Sequence, residues 1–131
     1  MKNLFIPPLS TEITLAAPWT FELYDESRNE SLIKLLGLEF VPRYERTTDD
    51  ESHQTVTLSA GTVLKIDRIY IRRGGAEFDS VTFFLKGNSL PGYAKSYTDR
   101  YNGEVRTYKV PRQPIRFWAK LEDVNTIMLE S

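Results

Sequence analysis

The sequence predicts a mainly β chain of the α+β class: a small barrel or a twisted antiparallel sheet, with one short helix and an N-terminal extension. Three observations carry this. Apolar residues recur with a period of two over most of the chain after residue 55, which puts them on one face of half-buried strands. Helical spacing occurs in one short stretch, Leu32, Ile33, Leu35 and Leu36. Breaks at Gly61, Gly74-Gly75, Gly87-Asn88 and Asn102-Gly103 cut the β-rich part into pieces of strand length.

In chain order, Pro7-Pro8 favours an extended, polyproline-like start. Ile13 and Leu15 alternate with Thr14, and Trp19, Phe21 and Leu23 alternate with Thr20, Glu22 and Tyr24, the pattern of a half-buried strand. Ser27-Arg28-Asn29-Glu30 has the form of a capping box, and Gly37 stands where a left-handed residue would stop the helix. A helix is therefore expected from Arg28 to Leu36. Its apolar stripe needs a surface to cover, most simply a sheet.

Residues 45–54 contain no apolar side chain and read as a linker. Val56 and Leu58 lead to Gly61, and Thr62 to Arg72 form a long β-rich run. Within that run Leu64 and Ile66 share one parity while Ile69 and Ile71 share the other. A change of phase inside a strand predicts a bulge near Asp67-Arg68. Val81, Phe83 and Leu85 form the next inward set. Asn102-Gly103, between Lys95–Tyr101 and Glu104–Val110, predicts a hairpin closed by a type I′ turn. Pro111 and Pro114 end it, and Ile115 to Leu129 read as strand, tight turn and short strand, with one of Phe117 and Trp118 in the core.

The segments Leu58-Ser59-Ala60-Gly61-Thr62-Val63-Leu64 and Phe117-Trp118-Ala119-Lys120-Leu121-Glu122-Asp123-Val124 resemble the opening strands and the closing turn of an SH3-like small barrel. That resemblance implies a barrel over residues 55–90 and 115–130, with the Asn102-Gly103 hairpin as an insertion. The overall style of the chain also resembles small tailed-phage proteins. Two parts are expected: residues 1–54 as an extension with strand and short helix, and residues 55–131 as the barrel-like domain.

Composition narrows function. The 131 residues are 40% apolar and 12% aromatic, enough to build a core. Zero cysteines exclude a disulfide scaffold, a thiolate metal site and a cysteine nucleophile. The start has three consecutive apolar residues before Pro7-Pro8, too few for a signal peptide or a membrane span. A cytoplasmic protein is expected, in the host cytoplasm if the source is viral, without a membrane partner. The net charge of −1 hides a segregation: residues 1–54 carry five basic and ten acidic side chains, and residues 55–121 carry twelve basic and five acidic. Such asymmetry sets up a field facing an anion, or an attraction between parts or copies of the chain.

Catalytic machinery is not legible. His53 is the single histidine, which excludes a two-histidine metal site within one chain. Asp49, Asp50 and Glu51 beside it read as a solvated loop with nothing to hold ligands rigidly. Neither a nucleophile elbow nor a phosphate-binding glycine loop occurs. Asp67, Glu77 and Asp79 near Gly74-Gly75 are ordinary turn acids. The expectation is a non-enzyme without a cofactor or metal.

A basic and aromatic stretch remains. From Tyr93 to Trp118 the sequence interleaves aromatic residues with lysine and arginine. Cations neutralise phosphates, and aromatic faces stack on bases at roughly 1–3 kcal/mol each. The ligand-binding residues expected are Tyr97, Arg100, Tyr101, Arg106, Tyr108 and Arg112 on and beside the hairpin, with Arg72 and Arg73 at the end of the bent strand. The leading expectation is a small intracellular binding module, of the kind a phage uses to capture a host protein or a nucleotide-like ligand. The alternatives are a nucleic-acid binder using the same surface, and an assembly subunit that forms a homo-oligomer through its N-terminal arm.

Overall fold

The computed structural model describes residues 2–3, 9–40, 53–71 and 79–130. The chain is mainly β, and its sheets are antiparallel. The strands are β1 (Lys2–Asn3), β2 (Glu12–Thr14), β3 (Trp19–Tyr24), β4 (His53–Leu58), β5 (Val63–Tyr70), β6 (Ser80–Leu90), β7 (Tyr93–Thr98), β8 (Val105–Val110), β9 (Gln113–Lys120) and β10 (Met128–Leu129). Helix α1 covers Glu30–Leu35 and α2 covers Leu121–Val124. Among the described residues no helix is long and apolar enough to cross a membrane.

A four-stranded sheet in the order β2-β5-β6-β9 is the body of the fold. Its inner face carries Leu64, Ile66, Val81, Phe83, Leu85, Ile115, Phe117 and Ala119, all buried. The β3–β4 pair supplies Trp19, Phe21, Leu23, Val56 and Leu58 to the same core. Phe21 stacks on Trp19 with ring centres 4.1 Å apart and on Phe117 at 5.3 Å, and Phe83 lies 5.4 Å from Phe117. Alternation in the sequence thus becomes two apolar faces laid together. The strands and helix of residues 1–54 and the strands of residues 55–131 contribute side chains to one hydrophobic cluster.

The bulge lies where the phase change puts it. Ile66 pairs with Phe83 and Arg68 with Thr82, leaving Asp67 as the extra residue. Past it Ile69 turns inward and packs on the core, whereas Ile71, beyond the end of β5, is exposed. A closed barrel, by contrast, is not formed among the described residues. The outer strands β2 and β9 are not paired with each other, because each edge is occupied by something else. Along β2, the Ala16 N–H donates to Met128 O at 2.8 Å and the Glu130 N–H donates to Thr14 O at 3.0 Å. Along β9, the Arg116 N–H donates to Ser31 Oγ at 2.9 Å, that hydroxyl donates back to Arg116 O at 3.0 Å, and the Trp118 N–H donates to Asn29 Oδ1 at 2.8 Å. Pro114, of the same parity, has no N–H to offer.

The helix is shorter than its spacing suggests, and its start differs. Ser27–Asn29 form a 3₁₀ turn before α1, and neither Ser27 nor Asn29 caps a helix N–H with its side chain. The capping box fails because Ser27 is already inside the 3₁₀ turn, whose N-cap is Glu26, and Glu30 is paired with Lys34. Asn29, at the start of α1, is buried and committed elsewhere: its Nδ2 donates to Tyr24 O at 3.0 Å while Oδ1 takes the Trp118 N–H. The C-terminus follows expectation. Gly37 has φ +73°, its N–H donates to Lys34 O, and the Leu38 N–H donates to Ile33 O, both at 3.0 Å, the paired bonds of a Schellman stop. Residues 45–52 of the expected linker lie outside the described residues, while its last two, His53 and Gln54, begin β4. Both Phe117 and Trp118 are buried. Phe117 faces the core, and Trp118 lies on the opposite face of β9 under Tyr24, whose ring stacks on it at 5.2 Å.

Candidate functional site

Strands β6 and β9 run together through the core as far as Leu85 opposite Ile115. The register then shifts across Lys86–Asn88 and resumes with Ser89 opposite Pro114 and Leu90 opposite Gln113. Beyond Pro91-Gly92 on one side and Pro111-Arg112 on the other, the same two chains pair again as β7 and β8. The hairpin is therefore an outward continuation of the central strand pair. Its strands are six residues long, about 20 Å at the usual rise per residue. The junction is tight: a Cβ at Gly92 would lie 2.8 Å from Val110 O, so only glycine lets the chains approach this closely. Arg112 braces it by donating from Nη1 to Ser89 Oγ at 2.8 Å.

Pairing of Tyr93 with Val110, Lys95 with Tyr108 and Tyr97 with Arg106 sets one face of the ribbon. Tyr97 and Tyr108 are diagonal neighbours on it, edge to face with centroids 6.0 Å apart, as aromatic cross-strand pairs prefer. Arg106 is held between two acids of the same face, Nε 3.7 Å from Asp99 Oδ2 and Nη2 3.8 Å from Glu104 Oε2. The reverse face is small and polar: Ala94, Ser96, Thr98, Val105, Thr107 and Lys109, with Ser96 Oγ and Thr107 Oγ1 hydrogen-bonded at 3.0 Å. Every side chain of β7 and all of β8 but Val110 are exposed. Five of the eight exposed large apolar side chains among the described residues, namely Tyr93, Tyr97, Tyr101, Val105 and Tyr108, belong to this hairpin.

The turn corrects the expected type I′ geometry. Asn102 does not take a positive φ, whereas Gly103 does, at +71°. Asp99 is the reason. Its Oδ1 accepts the N–H groups of Tyr101 at 2.8 Å and Asn102 at 3.4 Å, and the Gly103 N–H donates to Asp99 O. This side-chain cap opens a wider loop over Arg100–Gly103 in place of a two-residue turn. Tyr101 stands at its tip, 97% exposed.

The expected ligand residues therefore separate. Tyr97, Arg106 and Tyr108 meet on one ribbon face, joined by Tyr93 and Lys95. Arg100 and Tyr101 lie at the tip, and Arg112 at the root. Arg72 and Arg73 lie outside the described residues. Arg68, of the same basic group, reaches Tyr70 Oη at 3.3 Å and Asp67 at 3.8 Å.

No family model, curated protein or solved structure matches this chain. The chemistry of its surfaces must then be read from the residues themselves. On the outer face of the sheet, Lys120 Nζ lies 2.7 Å from Glu22 Oε2 and 3.2 Å from Glu122 Oε1, and 5.4 Å from the centre of the Tyr24 ring. The hydrogen bond to Glu22 holds the Lys120 ammonium well above the ordinary lysine range, and the same bond holds the Glu22 carboxyl below the ordinary glutamate range. Arg28 is tied to Glu26 and lies 5.7 Å from the rings of both Tyr70 and Trp118. These ions and rings interlock β3, the 3₁₀ turn and β9. Beside them an open groove of about 380 Å³ has Phe84, Leu90 and Pro114 with Arg28, Lys34 and Arg116 along it. Arg28 and Lys34 both have acidic partners within the chain, the latter Glu30 at 3.2 Å. Among the described residues no group of three or more His, Asp or Glu forms a metal-binding cluster.

Proposed function

We propose that the protein is a non-enzymatic binding module that engages a partner protein through one face of the β7–β8 ribbon. The observation that carries this is the position of its exposed aromatic area. Tyr93, Tyr97 and Tyr108 are between 46% and 55% exposed, on an arm whose strands pack chiefly on each other. Tyrosine and arginine presented together, at low entropic cost, are the side chains that dominate protein-binding hot spots. From the chain's likeness in style to small tailed-phage proteins, we take the partner to be a host protein of the cytoplasm.

A protein partner fits better than a polyanion because Arg106, the cation of the tyrosine face, is already engaged by Asp99 and Glu104. The two carboxylates beside it weaken the positive field that a nucleotide or nucleic acid would meet there.

Native mass spectrometry of the protein purified from its cells tests the reading. The wild type is expected to carry a stoichiometric partner protein, and the Tyr97→Ala/Tyr108→Ala double variant to lose it while melting at an unchanged temperature. Full retention of the partner by the double variant would overturn the proposal. A copurified nucleic acid, released steeply by salt, would replace it with the polyanion reading.

A further inference from the structure

An isolated two-stranded ribbon is marginally stable in water, and three or more strands are needed for independent stability. Among the described residues the arm has two strands and no core beneath it, and yet an unbroken register from Tyr93 opposite Val110 to Thr98 opposite Val105. Its edges show what is missing. The Asp99 N–H donates to Glu104 O at 2.8 Å, which makes Asp99 and Glu104 a hydrogen-bonded pair. Alternation along an antiparallel ladder then makes Tyr97–Arg106, Lys95–Tyr108 and Tyr93–Val110 bonded pairs too. The backbone groups of the residues between them point away from the ribbon: those of Ala94, Ser96 and Thr98 along β7, and those of Val105, Thr107 and Lys109 along β8.

The four-stranded sheet closes its edges, β2 with β10 and β9 with Asn29, Ser31 and Pro114. Among the described residues, strand β8 has none of these devices. It has no proline and no bulge, and Val105, Thr107, Tyr108 and Val110 are strong strand formers. We infer that β8 pairs antiparallel with β8 of a second copy about a two-fold axis at Thr107, making one continuous four-stranded sheet from two arms.

Complementarity selects both the occupant and the register. With Thr107 opposite its own copy, Val105 meets Lys109 and Arg106 meets Tyr108, twice each by symmetry. Across one face the rows then read Tyr97, Arg106, Tyr108, Lys95, so every cation has an aromatic neighbour. Across the other, Ser96, Thr107, Thr107 and Ser96 line up as a row of hydroxyls, extending the bond that Ser96 and Thr107 already make. Across the β8–β8 seam no like charges stand directly opposite each other. Sliding the pairing by two residues in one direction sets Arg106 against Arg106. Sliding it in the other puts Pro111, with no N–H, opposite Val105. A closed two-fold contact needs this kind of self-complementarity, and the chain shows it in one register. The β7 edge, with Ala94 and Ser96 at its centre, has weaker strand formers.

The inference does not depend on the tyrosine face binding a partner. If the dimer fails while capture dependent on Tyr97 and Tyr108 persists, the dimer alone is refuted; a dimer without such capture refutes only the binding proposal. The test is the solution mass of the full chain by sedimentation and native mass spectrometry, from low to high micromolar concentration. Wild type is expected to move from the mass of one chain to that of two. Thr107→Pro removes an N–H that the ribbon's own ladder does not use, and is expected to remain one chain throughout, melting with wild type at concentrations where wild type is also one chain. Ser96→Pro, the same change on the β7 edge, is expected to dimerise like wild type. Because the chain has no cysteine, T107C gives a second readout that does not require a proline to be tolerated: mild oxidation should link two copies, whereas S96C should stay unlinked. A wild type of one-chain mass throughout, a T107P variant that dimerises like wild type, a S96P variant that does not dimerise, or S96C linking as well as T107C would each overturn the inference.

Discussion

Asn29 shows what a single side chain can decide in this fold. The sequence presents it as the third residue of a capping box, and local spacing supports that reading. Its contacts with Tyr24 and Trp118 are 5 and 89 residues away, and a window of ten residues holds no trace of the second. Lys120 was hidden in the same manner. Its partners Glu22 and Glu122 lie on different elements, so only the packed sheet reveals the cluster. The linkage has a definite sign. The carboxyl of Glu22 titrates lower in the folded chain than in the unfolded one, so its pairing with Lys120 stabilises the fold above the ordinary glutamate range and fades as pH falls through the depressed value. Lys120, raised in the folded chain, keeps its contribution up to the ordinary lysine range and loses it only in strong base. Urea titrations of wild type and E22Q should therefore differ most at neutral pH and converge as the solution is acidified below the glutamate range. A gap that stays constant into acid would mean the pair contributes nothing to folding.

At the scale of elements, strands were easier to read than turns. Period two placed β3, β5, β6 and β9 within a few residues, because alternation is a direct imprint of a sheet with one apolar face. The bulge at Asp67 was legible for the same reason, since a phase slip has few other causes. The Asn102-Gly103 turn was not, because the loop is set by the carboxylate of Asp99, outside the dipeptide that carries the usual signal. That dependence can be measured. Asp99→Ala removes the acceptor for two turn N–H groups and one of the acids beside Arg106. Amide exchange along β7 and β8 should accelerate about tenfold, the equivalent of about 1.4 kcal/mol, while the amides of β5, β6 and β9 keep their protection. Unchanged exchange in the ribbon would show that the loop is held by other contacts.

For the molecule as a whole, the mainly β class could be read from the sequence, but barrel closure could not. Closure depends on what occupies the edges of β2 and β9, and those occupants come from the helix and from the C-terminal strand. The ribbon was legible as a tyrosine-rich surface, since face sharing follows from parity. Its distance from the core was not, because nothing in residues 93–110 marks whether another element covers them. The shared core predicts how the chain comes apart. Phe117 is wholly buried and touches rings from β3 and β6, so Phe117→Ala should cost about 3–5 kcal/mol. Trp19 and Trp118 report from the two halves of the sequence, so fluorescence and far-ultraviolet circular dichroism should still show one coincident transition in urea. Two separate midpoints would mean that residues 1–54 fold apart from the rest.

The bonds that Asn29 and Ser31 make to β9 also fix an order of events. Each closes a loop of 85 residues or more, and each meets a backbone group of β9 whose position is set by its pairing with β6. Because contacts of such separation form slowly, we expect the polar side chains of the 3₁₀ turn and α1 to dock after β9 has paired with β6, and pulsed amide exchange would then show the Arg116 and Trp118 N–H groups protected late. Until those side chains dock, β9 presents an open backbone edge, the kind of surface through which a partly folded chain sticks to its neighbours.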